Sequence, residues 1–168
     1  DMPGMVPWTW WSHTDAGHSE EGRKQSMELF GRDEAFMTAK PERLVERILH
    51  ISTNPDDLVL DSFLGSGTTA AVAQKMNRRF IGIEMGDHAA THCAPRLQKV
   101  TDGEQGGISD TQGWQGGSGF RFYRLGPPVF AEDGSIQPDI CFAVLASHIW
   151  FAETGAPWTE PMPLTPFL

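Results

Sequence analysis

Asp57-Leu58-Val59-Leu60-Asp61-Ser62-Phe63-Leu64-Gly65-Ser66-Gly67-Thr68-Thr69 is the stretch on which the fold turns. A short apolar run between acids reads as a buried strand, and such strands belong to parallel sheets. A glycine-rich loop follows, and Thr68 to Met76 continues as an alanine-rich helix. Glycines at 65 and 67 permit a tight turn and let a ligand approach the backbone closely. The helix start adds free N–H groups. Asn77-Arg78-Arg79 then turns the chain into Phe80-Ile81-Gly82-Ile83-Glu84, a second apolar strand ending on an acid. A third helix is expected over roughly residues 87–99, stopped or kinked at Pro95. Strand, helix, strand, helix implies a right-handed crossover and a parallel pair.

Working outward, residues 41–51 form a helix. Pro41 suits its start, Glu42 its first turn, and Leu44, Val45, Ile48 and Leu49 recur at helical spacing. Asn54-Pro55 ends it. A short helix is expected over 23–30, with Met27, Leu29 and Phe30 turned inward. Residues 1–22 read as irregular, with a short strand at best. After residue 101 the chain becomes a polar, Gly-rich linker to residue 119, then an alternating strand from Gly119 to Leu125. Turns follow at Gly126-Pro127-Pro128 and Asp133-Gly134. A helix is expected over 139–152, with Phe142, Leu145, Ile149 and Trp150 on its apolar side, and an extended Pro-rich end from Gly155. No internal repeat is evident. The expected division is therefore 1–101, an α/β domain, and 102–168, a linker with a small acidic α+β extension.

With 168 residues the chain has room for one domain and extensions. Its net charge of −9 is uneven. Residues 101–168 carry eight acids against two bases, while residues 51–100 balance five against five. A stand-alone DNA binder usually shows a basic footprint, and none is present. Cys93 and Cys141 make no disulfide framework, which fits a reducing compartment. No run approaches the roughly 20 apolar residues that span a bilayer, and no signal peptide is evident. A cytoplasmic location is expected. Because the chain starts at Asp1, it reads as a piece of something longer.

Three ligands use loops like 61–69. A P-loop needs a lysine after its last glycine, and none follows Gly67. A dinucleotide is compatible with Gly65, Gly67 and Ala70 in G-x-G-x-x-A spacing, with Glu84 placed to grip a ribose. S-adenosylmethionine is favoured by Asp61. A carboxylate there repels a pyrophosphate and attracts an ammonium or sulfonium.

Phe36-Met37-Thr38-Ala39-Lys40-Pro41-Glu42-Arg43-Leu44, the 59–69 loop and Arg79-Phe80-Ile81-Gly82-Ile83-Glu84 together resemble the cofactor half of DNA adenine-N6 and cytosine-N4 methyltransferases. The match is to the subgroup whose catalytic motif precedes its cofactor motifs. Trp10-Trp11, Gly22, Leu29-Phe30-Gly31 and Gly116-Gly117-Ser118-Gly119-Phe120-Arg121-Phe122-Tyr123 look like type III restriction-modification (Mod) subunits. The resemblance implies a partial Rossmann-like fold with parallel strands and flanking helices, and S-adenosylmethionine as cofactor. It implies that Lys40 and Pro41 lie near the methionine end. Asp61, Ser62, Phe63, Gly65, Ser66, Gly67, Thr68 and Thr69 would wrap the methionine. Glu84 would bind the ribose, and the adenine would rest near Ile83 and Met85. It implies DNA as the substrate of the complete enzyme, with adenine N6 favoured, and a flipped target base. The family's catalytic tetrapeptide is Asp, Asn or Ser, then Pro-Pro, then an aromatic. It is absent here, and Gly126-Pro127-Pro128-Val129 reads as a turn. The chain is therefore expected to hold no catalytic residue, to be inactive alone, and to need an N-terminal catalytic half. A restriction subunit and a second copy are further candidate partners.

Two other readings stay open: a dinucleotide-binding oxidoreductase domain, and a non-catalytic interaction module that keeps the fold. His88, His92 and Cys93 share a helical face, but no third and fourth zinc ligand is spaced to join them, so no metal is expected. Trp8, Trp10 and Trp11 could stack on a base, although core or interface filling is the commoner use. Arg121 and Arg124 could touch phosphate, or simply be solvated.

Overall fold

The computed structural model describes residues 6–158. Expectations for residues 1–5 and 159–168 lie outside the described residues. The chain divides into two compact units, Asp1–Phe122 and Tyr123–Leu168.

In the first unit the elements run α1 (His13–Ala16), α2 (Ser19–Phe30), α3 (Glu42–Ser52), β1 (Leu58–Asp61), α4 (Thr68–Lys75) and β2 (Arg79–Gly82). A π-turn (Ala89–Cys93), α5 (Ala94–Thr101) and α6 (Ser109–Gln112) complete it. β1 and β2 pair in parallel, with Leu58 opposite Arg79 and Asp61 opposite Gly82. The crossover expected from the sequence is thus present. Pro95 falls in the first turn of α5, where a missing N–H costs nothing. The turn before it widens into the π-turn, so the predicted single helix becomes two pieces.

Several expectations are corrected. The N-terminal stretch is helical: α2 begins at Ser19, because His18 Nδ1 accepts the Glu21 N–H at 3.3 Å and so caps the helix start. The predicted linker is not one. Ile108 and Trp114 are buried in the first unit, and Trp114 Nε1 donates to the Val100 carbonyl at 2.8 Å. Two apolar anchors in a polar stretch suffice to pack it down. Residues 119–125 form no strand, since no neighbouring edge pairs with them among the described residues, and a strand exists only through its ladder.

The core joins Val45 and Leu49 of α3, Val59 of β1, Val72, Ala73 and Met76 of α4, and Ile108. α4 is buried almost all round; its alanines let it sit close against its neighbours. Only one face of the two-stranded sheet is covered. Leu58, Leu60, Ile81 and Ile83 lie exposed on the other, so the strands are half-buried rather than fully buried as the apolar runs suggested. Among the described residues, the helices that cover a parallel sheet on both faces are present on one side alone.

The second unit holds an antiparallel bridge between Phe130 and Ile136. The turn between them is held by Asp133, whose Oδ1 accepts from the Ser135 N–H and Oγ. The expected helix appears as α7 (Phe142–Thr154). It buries none of its residues: Phe142, Ile149 and Trp150 are exposed, and Leu145 is half-buried. No helix of the described residues is long and apolar enough to cross a membrane.

Candidate cofactor site

The loop from Asp61 to Thr69 leaves the carboxyl end of β1 and opens α4. Gly67 caps α4 in the left-handed region, φ 80° and ψ 8°. A Cβ there would lie 3.2 Å from Cys93 Cα, so the backbone conformation and the close neighbour both disfavour a side chain. Gly65, at φ 58°, has nothing within 3.4 Å of where a Cβ would be, and one side of its backbone is open. Both of its polar groups are held. Its N–H donates to Glu84 Oε2 at 2.8 Å, and its carbonyl accepts from Cys93 Sγ at 3.0 Å. Burial pushes the Cys93 thiol up to about 11, which keeps it a protonated donor rather than a nucleophile.

Two carboxylates flank this loop, one from the end of each strand. Asp61 Oδ1 accepts the Phe63 N–H at 3.0 Å. Glu84 Oε1 accepts the Gly86 N–H at 2.9 Å and faces His88 Nε2 at 3.1 Å. The Gly86 N–H, with those of Gly65 and His88, holds the Glu84 carboxyl below the usual carboxylate range. Glu84 therefore stays ionised at neutral pH.

The remaining sequence-predicted residues fall into two groups. Phe63 and Met85 are almost wholly exposed, Ser62 is exposed, and Thr69 is half-buried. They border the open side of the loop. Ser66 and Thr68 are buried and point inward: their hydroxyls meet at 2.9 Å. Thr68 Oγ1 also donates to the Lys40 carbonyl at 3.3 Å. That contact ties the Lys40 backbone to the helix end of the loop. The Lys40 ammonium itself turns to the Thr38 carbonyl.

Beneath the loop lies a charge cluster that sequence reasoning missed. Glu42, Lys75 and Arg96 are each 2% exposed or less. Arg96 Nη2 donates to Glu42 Oε1 at 2.8 Å, and Nη1 to Thr68 Oγ1 at 2.8 Å and the Ser66 carbonyl at 3.4 Å. Lys75 Nζ donates to Glu42 Oε2 at 2.8 Å and pairs with Glu104. The Ile108 N–H adds a bond to Glu42 Oε2 at 3.1 Å. Burial pushes the Glu42 carboxyl up, but the charges and hydrogen bonds of Arg96 and Lys75 outweigh it and hold it low. Arg96 thus braces the floor of the glycine loop. Glu42 is the first-turn acid of α3 that the sequence predicts, but no spacing ties it to partners up to 66 positions away.

His88, His92 and Cys93 do not converge. They turn to Glu84, to the Glu34 carbonyl and to the Gly65 carbonyl respectively. A cavity of about 380 Å³ is lined by Gln25, Glu28, Glu42, Lys99 and Glu104. It includes none of the residues from Asp61 to Thr69.

The class these features define is an α/β unit with a glycine loop at the carboxyl end of parallel strands, an acid on each strand end. The DNA methylase family model of N6 and N4 methyltransferases matches residues 4–94, over half the chain, and the chain belongs to that family. It is 57% identical over 88 residues to the probable type III restriction-modification enzyme HindVI Mod subunit of Haemophilus influenzae, covering 52% of this chain and 12% of that protein. It is 45% identical over 75 residues to type II methyltransferase M1.MboII of Moraxella bovis, covering 45% of this chain and 27% of that one. The crystal structure of M1.HpyAVI aligns with 45% identity and a TM-score of 0.34, over 34% of this chain and 29% of that chain. The chain thus spans about an eighth and about a quarter of the lengths of the first two relatives.

Proposed function

We propose that this chain is the S-adenosylmethionine-binding part of a site-specific DNA methyltransferase of a restriction-modification system. The complete enzyme transfers a methyl group to the exocyclic amine of a flipped base, adenine N6 in our reading. The observation that carries it is the pair of strand-end carboxylates on either side of an open glycine backbone. That donor set suits a ligand carrying both a cation and a ribose, and repels a pyrophosphate. Glu84 takes the ribose hydroxyls, Asp61 attracts the ammonium, and Phe63 and Met85 supply apolar surface for the adenine and methionine. When bound, the cofactor supplies a methyl group on a sulfonium, open to attack by an amine. The chain's own residues hold that methyl in place; they add no group to take up the amine's charge, because the D/N/S-P-P-aromatic motif is absent.

The catalytic half, DNA, and either a restriction subunit or a second copy are the partners in this reading. The bare sheet face of Leu58, Leu60, Ile81 and Ile83 supports a protein neighbour, since patches of this kind mark interfaces.

The test is calorimetric titration of the chain with S-adenosylmethionine, beside Glu84→Ala and a nicotinamide dinucleotide. Hydrogen bonds to a charged group are worth about 1.5–3 kcal/mol, so Glu84→Ala is expected to weaken binding roughly 10- to 100-fold. Equal binding by the variant, or preference for the dinucleotide, would sink the proposal.

A further inference from the structure

Glu84 has more partners than a ribose-binding carboxylate can keep. A carboxylate offers about four acceptor sites over its two oxygens. Three are in use: Gly65 N–H on Oε2, and Gly86 N–H with His88 Nε2 on Oε1. A ribose brings two hydroxyls, and their neighbouring geometry calls for one free site on each oxygen. Oε2 has one; Oε1 has none. One of the three present contacts must therefore leave.

The two backbone donors are fixed. Gly65 is pinned from its other side by Cys93 Sγ, and Gly86, four residues past the end of β2, is held by its own N–H on Glu84 Oε1 at 2.9 Å. His88 is a side chain, about one-third exposed, and can rotate away. Its present seat is shaped for it. A Cβ at Gly86 would lie 2.5 Å from His88 Cε1 and 2.6 Å from Nδ1, so the ring occupies the space that the glycine leaves. Phe36 covers the ring at a centroid distance of 5.2 Å.

We propose that His88 is a placeholder on Glu84: it occupies Oε1 and is displaced by a ribose hydroxyl when the cofactor binds. The inference rests on the preceding reading that Glu84 binds the ribose. His88 competes with the cofactor for Oε1, through a hydrogen bond that the ionised Glu84 carboxylate makes charge-assisted. Glu84 is the charged group facing the imidazole. Phe36, from the segment before α3, presents only its ring, and Asp87 precedes His88 in the chain.

The experiment is calorimetric titration with S-adenosylmethionine of the wild type, His88→Ala and Gly86→Ala. His88→Ala should bind several-fold more tightly than the wild type. Gly86→Ala, which drives the ring from its seat, should resemble His88→Ala. Binding by all three proteins with the same affinity overturns the placeholder and leaves the cofactor reading intact. Weaker binding by His88→Ala would make His88 a support for Glu84 and also overturn it. Failure of every variant to bind sinks the cofactor reading and this inference together.

Discussion

Glu42→Ala is expected to unfold the first unit at neutral pH, or to bring it to the edge of unfolding. The substitution removes one acid and leaves Lys75 and Arg96, both fully buried, without the carboxylate between them. Breaking a buried pair in this way costs about 3–5 kcal/mol, against a total stability of about 5–15 kcal/mol for a typical domain. Far-ultraviolet circular dichroism during urea titration reads the loss. A midpoint close to wild type would show that water reaches the cations and that the cluster is not the anchor it looks like. Replacing Glu42, Lys75 and Arg96 together by apolar residues of similar volume should recover part of the loss, because such swaps are often neutral. Acid acts in the same direction as the single substitution. The Glu42 carboxyl is held below its unfolded value, so its contribution is fully present above the usual carboxylate range. It is lost as pH falls through the lowered value.

The same cluster shows where sequence reading ends. The strand-loop-helix around Gly65 and the acid on the next strand were legible because their partners are near in sequence and their periods differ, two residues for a strand and about 3.6 for a helix. Asp61, Gly65, Gly67 and Glu84 accordingly fall where the motif spacing put them. Glu42, Lys75, Arg96 and Glu104 carry no such signal. Each is an ordinary surface residue by type, and the burial that makes them a unit appears only after four segments have packed. Ile108 and Trp114 failed for the opposite reason: a polar, Gly-rich neighbourhood hid two side chains that fill the core. His88 was weighed as a possible metal ligand with His92, since they are four apart. Its tie to Glu84, also four apart, points it another way. The alternating run at 119–125 had the right pattern for a strand and lacked only an edge to join.

Gly22→Ala sets two rules against each other and should be decided by packing. Gly22 lies inside α2, where alanine is favoured over glycine by about 1 kcal/mol on helix propensity. Taken alone that predicts a more stable protein. The added methyl, however, would meet the Ala39 carbonyl oxygen and lie 2.7 Å from the Lys40 carbonyl carbon and 2.8 Å from that of Ala39. Those are backbone atoms of the neighbouring segment, and no rotamer change can clear them. Overpacking of this kind costs about 1–3 kcal/mol and sometimes more, so a net loss is expected. The displaced segment is the one that leads into the site. Its shift pulls the Lys40 carbonyl from Thr68 Oγ1 and the Glu42 N–H from Gln25 Oε1, now at 3.3 and 3.0 Å. Affinity for S-adenosylmethionine should therefore fall with stability, measured by calorimetry beside a urea midpoint. Gly119→Ala is the control, since a Cβ there meets nothing within 4 Å, and it should leave both quantities unchanged. A Gly22→Ala protein more stable than wild type would mean that α2 and the segment at 39–41 do not pack this closely. The link from α2 through Lys40 to the glycine loop would then be lost with it.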